Sequence, residues 1–206
     1  MSDLLDGTSG ERMKLDAYYA DFENHFWSIT DLGFWKLERQ QVFKEPGYDA
    51  WEAFARGDWD ESLRLLEAGR ADLETQHRKI AESGFAARRA RIVEEPISAY
   101  LQWELHALRI RDESGGLVHI VRPDQVARFE TSDPLPEINV LGMNVMYEVV
   151  YDDEGVIDHA VRYVDRDLIL RCQRLIADLF EAGEPLKQYF ERKVAPLPPP
   201  GPQHQP

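Results

Sequence analysis

The 206 residues of the chain hold 24 Lys and Arg against 38 Asp and Glu, giving a net charge of −14 and a pI of about 4.8. That sign repels phosphate backbones and anionic lipid, which argues against direct nucleic-acid or membrane binding by the surface as a whole. A hydrophobic share of 43% with 11% aromatics supports a packed core and excludes wholesale disorder, while the lone cysteine, Cys172, excludes an internal disulfide and a multi-cysteine metal site.

Residues 1–20 are polar, show no apolar leader core and are expected to be a flexible N-terminus. No later run approaches the roughly 18 apolar residues of a membrane helix, so the expected location is cytoplasmic. Residues 21–86 predict a helical layer. It opens on an aromatic-rich stretch with Phe22, Phe26, Trp27, Phe34 and Trp35, side chains large enough to pack against a domain. Two helices follow. Trp51, Phe54 and Ala55 mark the first, "GDWD" breaks it with a candidate Asp cap, and Leu63, Leu66, Leu73 and Ile80 mark the second, which stops at Gly84. "GDWDESLRLLEAG" resembles one tetratricopeptide hairpin, but no second copy occurs, so no solenoid is predicted.

Residues 87–193 predict a mixed α/β domain. "ARRARIV" alternates as a strand, "PISAYLQWELHALRI" is helical, and "GGLVHIV" is a second strand. "PDQVARFE" reads as a short helix with Pro123 in its first turn. "NVMYEVVY" and "VIDHAVRYV" flank "DDEG" as a hairpin with Val145, Tyr147, Val149 and Tyr151 on one face. An amphipathic helix with Leu168, Cys172, Leu175, Ile176 and Leu179 in its stripe closes the domain, and Cys172 reads as a buried core thiol. Residues 194–206 are a proline-rich, extended tail. The fold class is therefore α+β: a mixed sheet with packed helices, preceded by an N-terminal helical layer.

One polar constellation stands out. With Ile97 at zero on a helical wheel, Leu101, Leu108 and Leu105 fall at about +40°, +20° and +80°, and Tyr100 at about −60°. Glu104 lands at about −20°, in the middle of that apolar face, whereas His106 falls on the opposite side and is expected to be exposed. An ionised carboxylate there must be paired, protonated or opened to a pocket. Arg89 and Arg91 share one face of the preceding strand, Ala90 and Ile92 the other, and Pro96 suits the first turn of the helix. Either arginine can reach Glu104, and Tyr100 can line the same space. Three readings stay open: a buried Arg–Glu pair that docks the helix; a pocket where Arg89, Arg91, Tyr100 and Glu104 bind a small anionic ligand; and acid–base catalysis by Glu104 with Tyr100 orienting it.

Other chemistry is weaker. Six histidines are scattered without HxxxH or HExxH spacing, so no metal is expected, and His119 and His159, on predicted strands that would share a face if adjacent, are expected to be hydrogen-bonded structural histidines rather than a ligand pair. No GxGxxG or GxxxxGK[ST] is present, and no motif implies a cofactor.

"GFWKLERQQVF", "RRARIVEEPISAYLQWEL", "LPEINVLG", "VVYDDEG" and "VAPLPPP" together resemble an actinobacterial family of unknown function over about residues 30–200. Its block is an Arg-x-Arg strand, a proline, then Tyr-Leu-x-x-Glu on a helix. Relatives carry acidic, aromatic residues after the leucine–proline pair; here Asn139 and Asn144 stand where aspartates would be expected. Such proteins are often encoded beside helix-turn-helix regulators, so the resemblance implies a regulatory or accessory role. The resulting expectation is a non-catalytic regulatory or protein-interaction protein that senses a small anionic ligand and docks a basic regulatory partner, with an enzyme using Glu104 as the alternative. A homodimer through exposed aromatics stays open.

Overall fold

The computed structural model describes residues 4, 5 and 7–201. Its frame is one eight-stranded mixed sheet in the order β1-β7-β6-β5-β2-β3-β4-β8. The strands are β1 (Glu11–Met13), β2 (Phe34–Glu38), β3 (Ala87–Ile92), β4 (Leu117–Val121), β5 (Glu137–Leu141), β6 (Val145–Tyr151), β7 (Ile157–Tyr163) and β8 (Glu184–Pro185). Only the β2-β3 and β3-β4 neighbours are parallel. Each needs a crossover, supplied first by α2 (Asp49–Ala55), α3 (Trp59–Ala68) and α4 (Arg70–Glu82), then by α5 (Ala99–Glu113). Successive parallel strands laid down in the same direction send right-handed crossovers over the same face. Accordingly α5 packs against α3 and α4.

The strands alternate, so the two faces differ in chemistry. Trp35 and Leu37 of β2, Ala90 and Ile92 of β3, Ile138 and Val140 of β5 and Met146 of β6 form an apolar face under α7 (Arg166–Ala182). Asp165 caps α7 through Leu168 N–H, and Leu168, Cys172, Ile176 and Leu179 enter this core. Cys172 is sealed there, and burial pushes its thiol up to about 12. On the opposite face, α1 (Leu15–Phe26) brings Tyr18, Phe22 and Phe26 onto Tyr147 of β6 and Ala160 of β7.

 

Several elements differ from the sequence expectation. The helical layer expected over 21–86 is interrupted, because Phe34–Glu38 runs through the middle of the sheet as β2 between β5 and β3. Gly33 makes the entry: its φ is +78°, and a Cβ there would meet the Ala86 carbonyl oxygen at 2.8 Å. The aromatics of the opening stretch pack within the chain, as their size led one to expect, with Phe22, Phe26, Trp27 and Phe34 beside Tyr147 and Trp35 on the α7 face. The first 20 residues, expected to be flexible, include β1, which pairs with β7, and Leu5, which is buried in the α7 core. The second predicted helix of the layer divides at Gly69 into α3 and α4, and Asp58 caps α3 through Glu61 N–H. Pro96 lies outside the helix it was expected to open: the Glu95–Pro96 peptide is cis, and α5 begins at Ala99 behind the Ser98 cap, whose hydroxyl oxygen accepts from Leu101 N–H. The predicted short helix is α6 (Pro123–Val126). Beyond β8, α8 (Leu186–Tyr189) and a π-helical turn over Phe190–Val194 bury Leu186, Tyr189, Phe190 and Val194 against α5 and β4. The tail then follows the outside of α5, where Gln102 Nε2 donates to the Pro198 carbonyl at 2.9 Å; residues 202–206 lie outside the described residues.

Candidate functional site

Helix α5 is wedged between two cores. Leu101, Leu105 and Leu108 join β4 and α8, whereas Tyr100, Trp103 and Ile110 join α2 and α3. Trp103 Nε1 donates to Ser62 Oγ at 2.8 Å, and Ser62 Oγ donates in turn to the Ala50 carbonyl, tying the three helices together. Packing on both sides explains His106, which is half-buried between Trp59 and Phe190 rather than exposed; burial, with Arg109 nearby, pulls its imidazole down to about 4.

The seam between those cores faces the sheet. There the parallel register sets Lys36 beside Arg89 and Glu38 beside Arg91. Four charged side chains thus project into the interior from adjacent strands. Glu38 accepts from Lys36 Nζ at 2.6 Å through Oε1 and from Arg89 Nη1 at 2.5 Å through Oε2. Burial alone would raise its carboxyl, but Arg89, Lys36 and Arg91 outweigh that and hold it below the usual carboxylate range. Arg91 is 0% exposed. Its Nε and Nη2 donate to Glu104 Oε2 at 2.9 and 2.7 Å, and its Nη1 donates to the carbonyls of Ile92 and Glu38. The Arg–Glu pair expected across the strand–helix corner is therefore present, with both donors meeting one carboxylate oxygen. Glu104 Oε1 takes no hydrogen bond among the described residues. Burial raises the Glu104 pKa, and Arg91 offsets that only in part.

Above this charged floor the helical layer does not close down. A cavity of about 1090 Å³ remains, lined by Lys36, Glu38 and Arg89 from the sheet and by Tyr100, Glu104 and Arg111 from α5. The segment after β2 contributes Phe43, Glu45 and Tyr48. Of the four residues singled out in the sequence, Arg89, Tyr100 and Glu104 border this space, while Arg91 lies sealed behind Glu104. Tyr100 donates its hydroxyl to Glu45 Oε1 at 3.0 Å rather than to Glu104. Burial raises both the Glu45 carboxyl and the Tyr100 hydroxyl above their ordinary values.

Sequence reasoning missed Arg111. Its guanidinium makes no hydrogen bond or ion pair among the described residues, and burial together with the like charge of Arg89 pulls its pKa down to about 10. The signal was available: on the wheel that placed Glu104 at about −20°, Arg111 falls at about −40°, in the same stripe. Lys36 and Glu38 were also missed, although "FWKLE" alternates charge with Trp35 and Leu37.

Other candidates separate. His119 and His159 sit on β4 and β7 with four strands between them; His119 Nδ1 bonds the Phe180 carbonyl oxygen at 2.6 Å. Asn139 lies on the charged face opposite Lys36 and donates to Tyr18 Oη, whereas Asn144 is in the exposed turn before β6. Among the described residues no group of His, Cys, Asp and Glu is arranged to hold a metal, and no helix is long and apolar enough to cross a membrane.

A family model described as a domain of unknown function (DUF6879) matches residues 20–191, a span that contains the whole charged floor and α5. The chain belongs to the DUF6879 family. A search of curated proteins finds no match. In this DUF6879 domain, the Arg-x-Arg strand and the Tyr-Leu-x-x-Glu helix meet at one place: β3 supplies the guanidinium that grips Glu104, and α5 carries Tyr100, Glu104 and Arg111 along one side of the cavity.

Proposed function

We propose that this DUF6879 protein is a non-catalytic regulatory or protein-interaction protein whose cavity takes up a small anionic ligand. The supporting observation is Arg111, a guanidinium with no acceptor among the described residues, on the wall of a cavity that also exposes Arg89. Arg89 spends Nη1 on Glu38, and its Nε and Nη2 stay uncommitted among the described residues. Guanidinium groups offer forked donors that match carboxylate and phosphate oxygens. A cation held in a partly desolvated place without a partner destabilises the fold, and a bound anion relieves that cost.

The test is thermal unfolding in phosphate, sulfate, succinate and citrate at constant ionic strength. Binding raises Tm with the logarithm of anion concentration. At least one of these anions is expected to do so in the wild type and not in Arg111→Met. Equal shifts in both proteins would contradict the reading.

The resemblance to actinobacterial proteins encoded beside helix-turn-helix regulators supports a regulatory setting, and the −14 charge suits a basic protein partner. Capture of a purified basic regulator that weakens as salt rises is the expected outcome; no capture at low salt would count against it.

A second reading is favoured by one observation: Glu104 Oε1 is uncommitted on a residue that lines the cavity, and burial raises that carboxyl, as a general acid or base requires. Turnover of a bound ligand that Glu104→Gln abolishes without loss of binding would support catalysis. Recovery of the ligand unchanged after prolonged incubation would end it.

A further inference from the structure

The uncommitted groups of the cavity have opposite signs and lie at opposite ends of one helix stripe. Glu104 and Arg111 are separated by seven residues, about 10 Å along the helix axis at about 1.5 Å per residue. At the Glu104 end, Glu104 Oε1 and Glu45 Oε2 accept no hydrogen bond among the described residues, Tyr100 having engaged only Glu45 Oε1. At the other end the Arg111 guanidinium donates to nothing among those residues. No hydrogen bond or ion pair joins Arg111 to Glu45 or Glu104 among the described residues. The open guanidinium and the open carboxylate oxygens, Glu104 Oε1 and Glu45 Oε2, are thus left without each other as partners. The apolar part of the lining includes Phe43, Trp103, Ala107 and Leu108.

A simple anion would satisfy Arg111 and leave Glu45 and Glu104 desolvated beside it; a simple cation would do the reverse. Only a molecule carrying both charges completes both ends. Granted the anion-binding reading proposed for this cavity, we infer that its ligand is a zwitterion with carboxylate and ammonium about 10 Å apart, the carboxylate at Arg111 and the ammonium between Glu45 and Glu104. An extended peptide covers about 3.3–3.6 Å per residue, so a tripeptide has the required reach. A long-chain amino acid shares the same chemistry.

Calorimetric titration of the full chain with diglycine, triglycine, tetraglycine, N-acetyl-triglycine, triglycinamide and 8-aminooctanoate tests this. Triglycine is expected to bind about tenfold more tightly than diglycine and than either capped form. Glu45→Gln is expected to weaken triglycine about tenfold while leaving N-acetyl-triglycine unchanged. Comparable binding of 8-aminooctanoate would identify charge separation as sufficient and a plain amino acid as the class; weak binding beside tight triglycine would identify a peptide. N-acetyl-triglycine binding within about threefold of triglycine would overturn the zwitterion and leave the anion reading standing. If none of these probes binds, the inference is overturned, and the inorganic-anion melts then decide the broader reading separately.

Discussion

The two faces of the central sheet are built from alternate residues of the same strands and have opposite characters. Under α7, Leu37, Ala90, Ile92, Ile138 and Val140 meet Ile169, Cys172 and Ile176 in a continuous hydrocarbon core. Under α5, their sequence neighbours Lys36, Glu38, Arg89 and Arg91 meet Glu104 and an open cavity. Hydrocarbon burial is non-directional, so the first face needs only volume and fit. The second needs each charge matched by geometry. Arg91 and Glu104 meet that demand on one side, and Arg111 on the same helix does not. The contrast separates charge used to hold the fold from charge left available.

Breaking the matched pair should have the largest effect. Arg91→Ala leaves Glu104 buried without its partner and is expected to cost about 3–5 kcal/mol in chemical denaturation. The double variant Arg91→Leu with Glu104→Leu should recover most of that loss, because hydrocarbon of similar volume replaces both charges together. A double variant as damaged as the single one would show that the pair is not an isolated unit.

On the opposite face, Ile176→Ala should cost about 2–4 kcal/mol by transfer and cavity terms. No second substitution in contact with it should rescue the loss by removing a partner, because no specific partner exists there. Rescue by such a deletion would blur the contrast between the faces.

A third measurement concerns Glu137, at the margin of the charged face. One carboxylate oxygen accepts from the backbone N–H groups of Arg39 and Gln40, and the other is buried without a partner. Burial, with Glu38 nearby, pushes this carboxyl up to about 7. Because the folded value exceeds the unfolded one, the folded state binds more protons between about pH 4.5 and 7, and the group's contribution falls as pH rises through that window. Glu137→Gln should therefore gain on the wild type across the window, reaching about 1–3 kcal/mol above pH 7. A difference that is flat with pH would show that the carboxyl titrates normally.

Much of this was legible in the chain. The alternation of Arg89 and Arg91 with Ala90 and Ile92 marked β3 and its two faces, and the wheel marked Glu104 as a carboxylate in need of a partner. The hairpin around "DDEG" and the stripe of α7 were equally plain, because local periodicity and turn chemistry decide them. What escaped depends on distant pairing. Lys36 and Glu38 gain their meaning only when β2 lies parallel to β3, some 50 residues away in the chain by the hydrogen-bond spacing of Arg89 and Glu38. His106 is covered by Phe190 from the far end of the domain. Arg111 stood in the right stripe, but only the cavity opposite shows that nothing among the described residues answers it.

The smallest expected change is also the most direct test. Arg111→Met, measured by urea denaturation in buffer free of multivalent anions, should leave the fold equally stable or more stable by up to about 1 kcal/mol, since it removes a desolvated charge that has no partner among the described residues. A loss of about 2 kcal/mol or more would show that Arg111 is a structural member of the charged face, and the claim that it is held open for a ligand would fail.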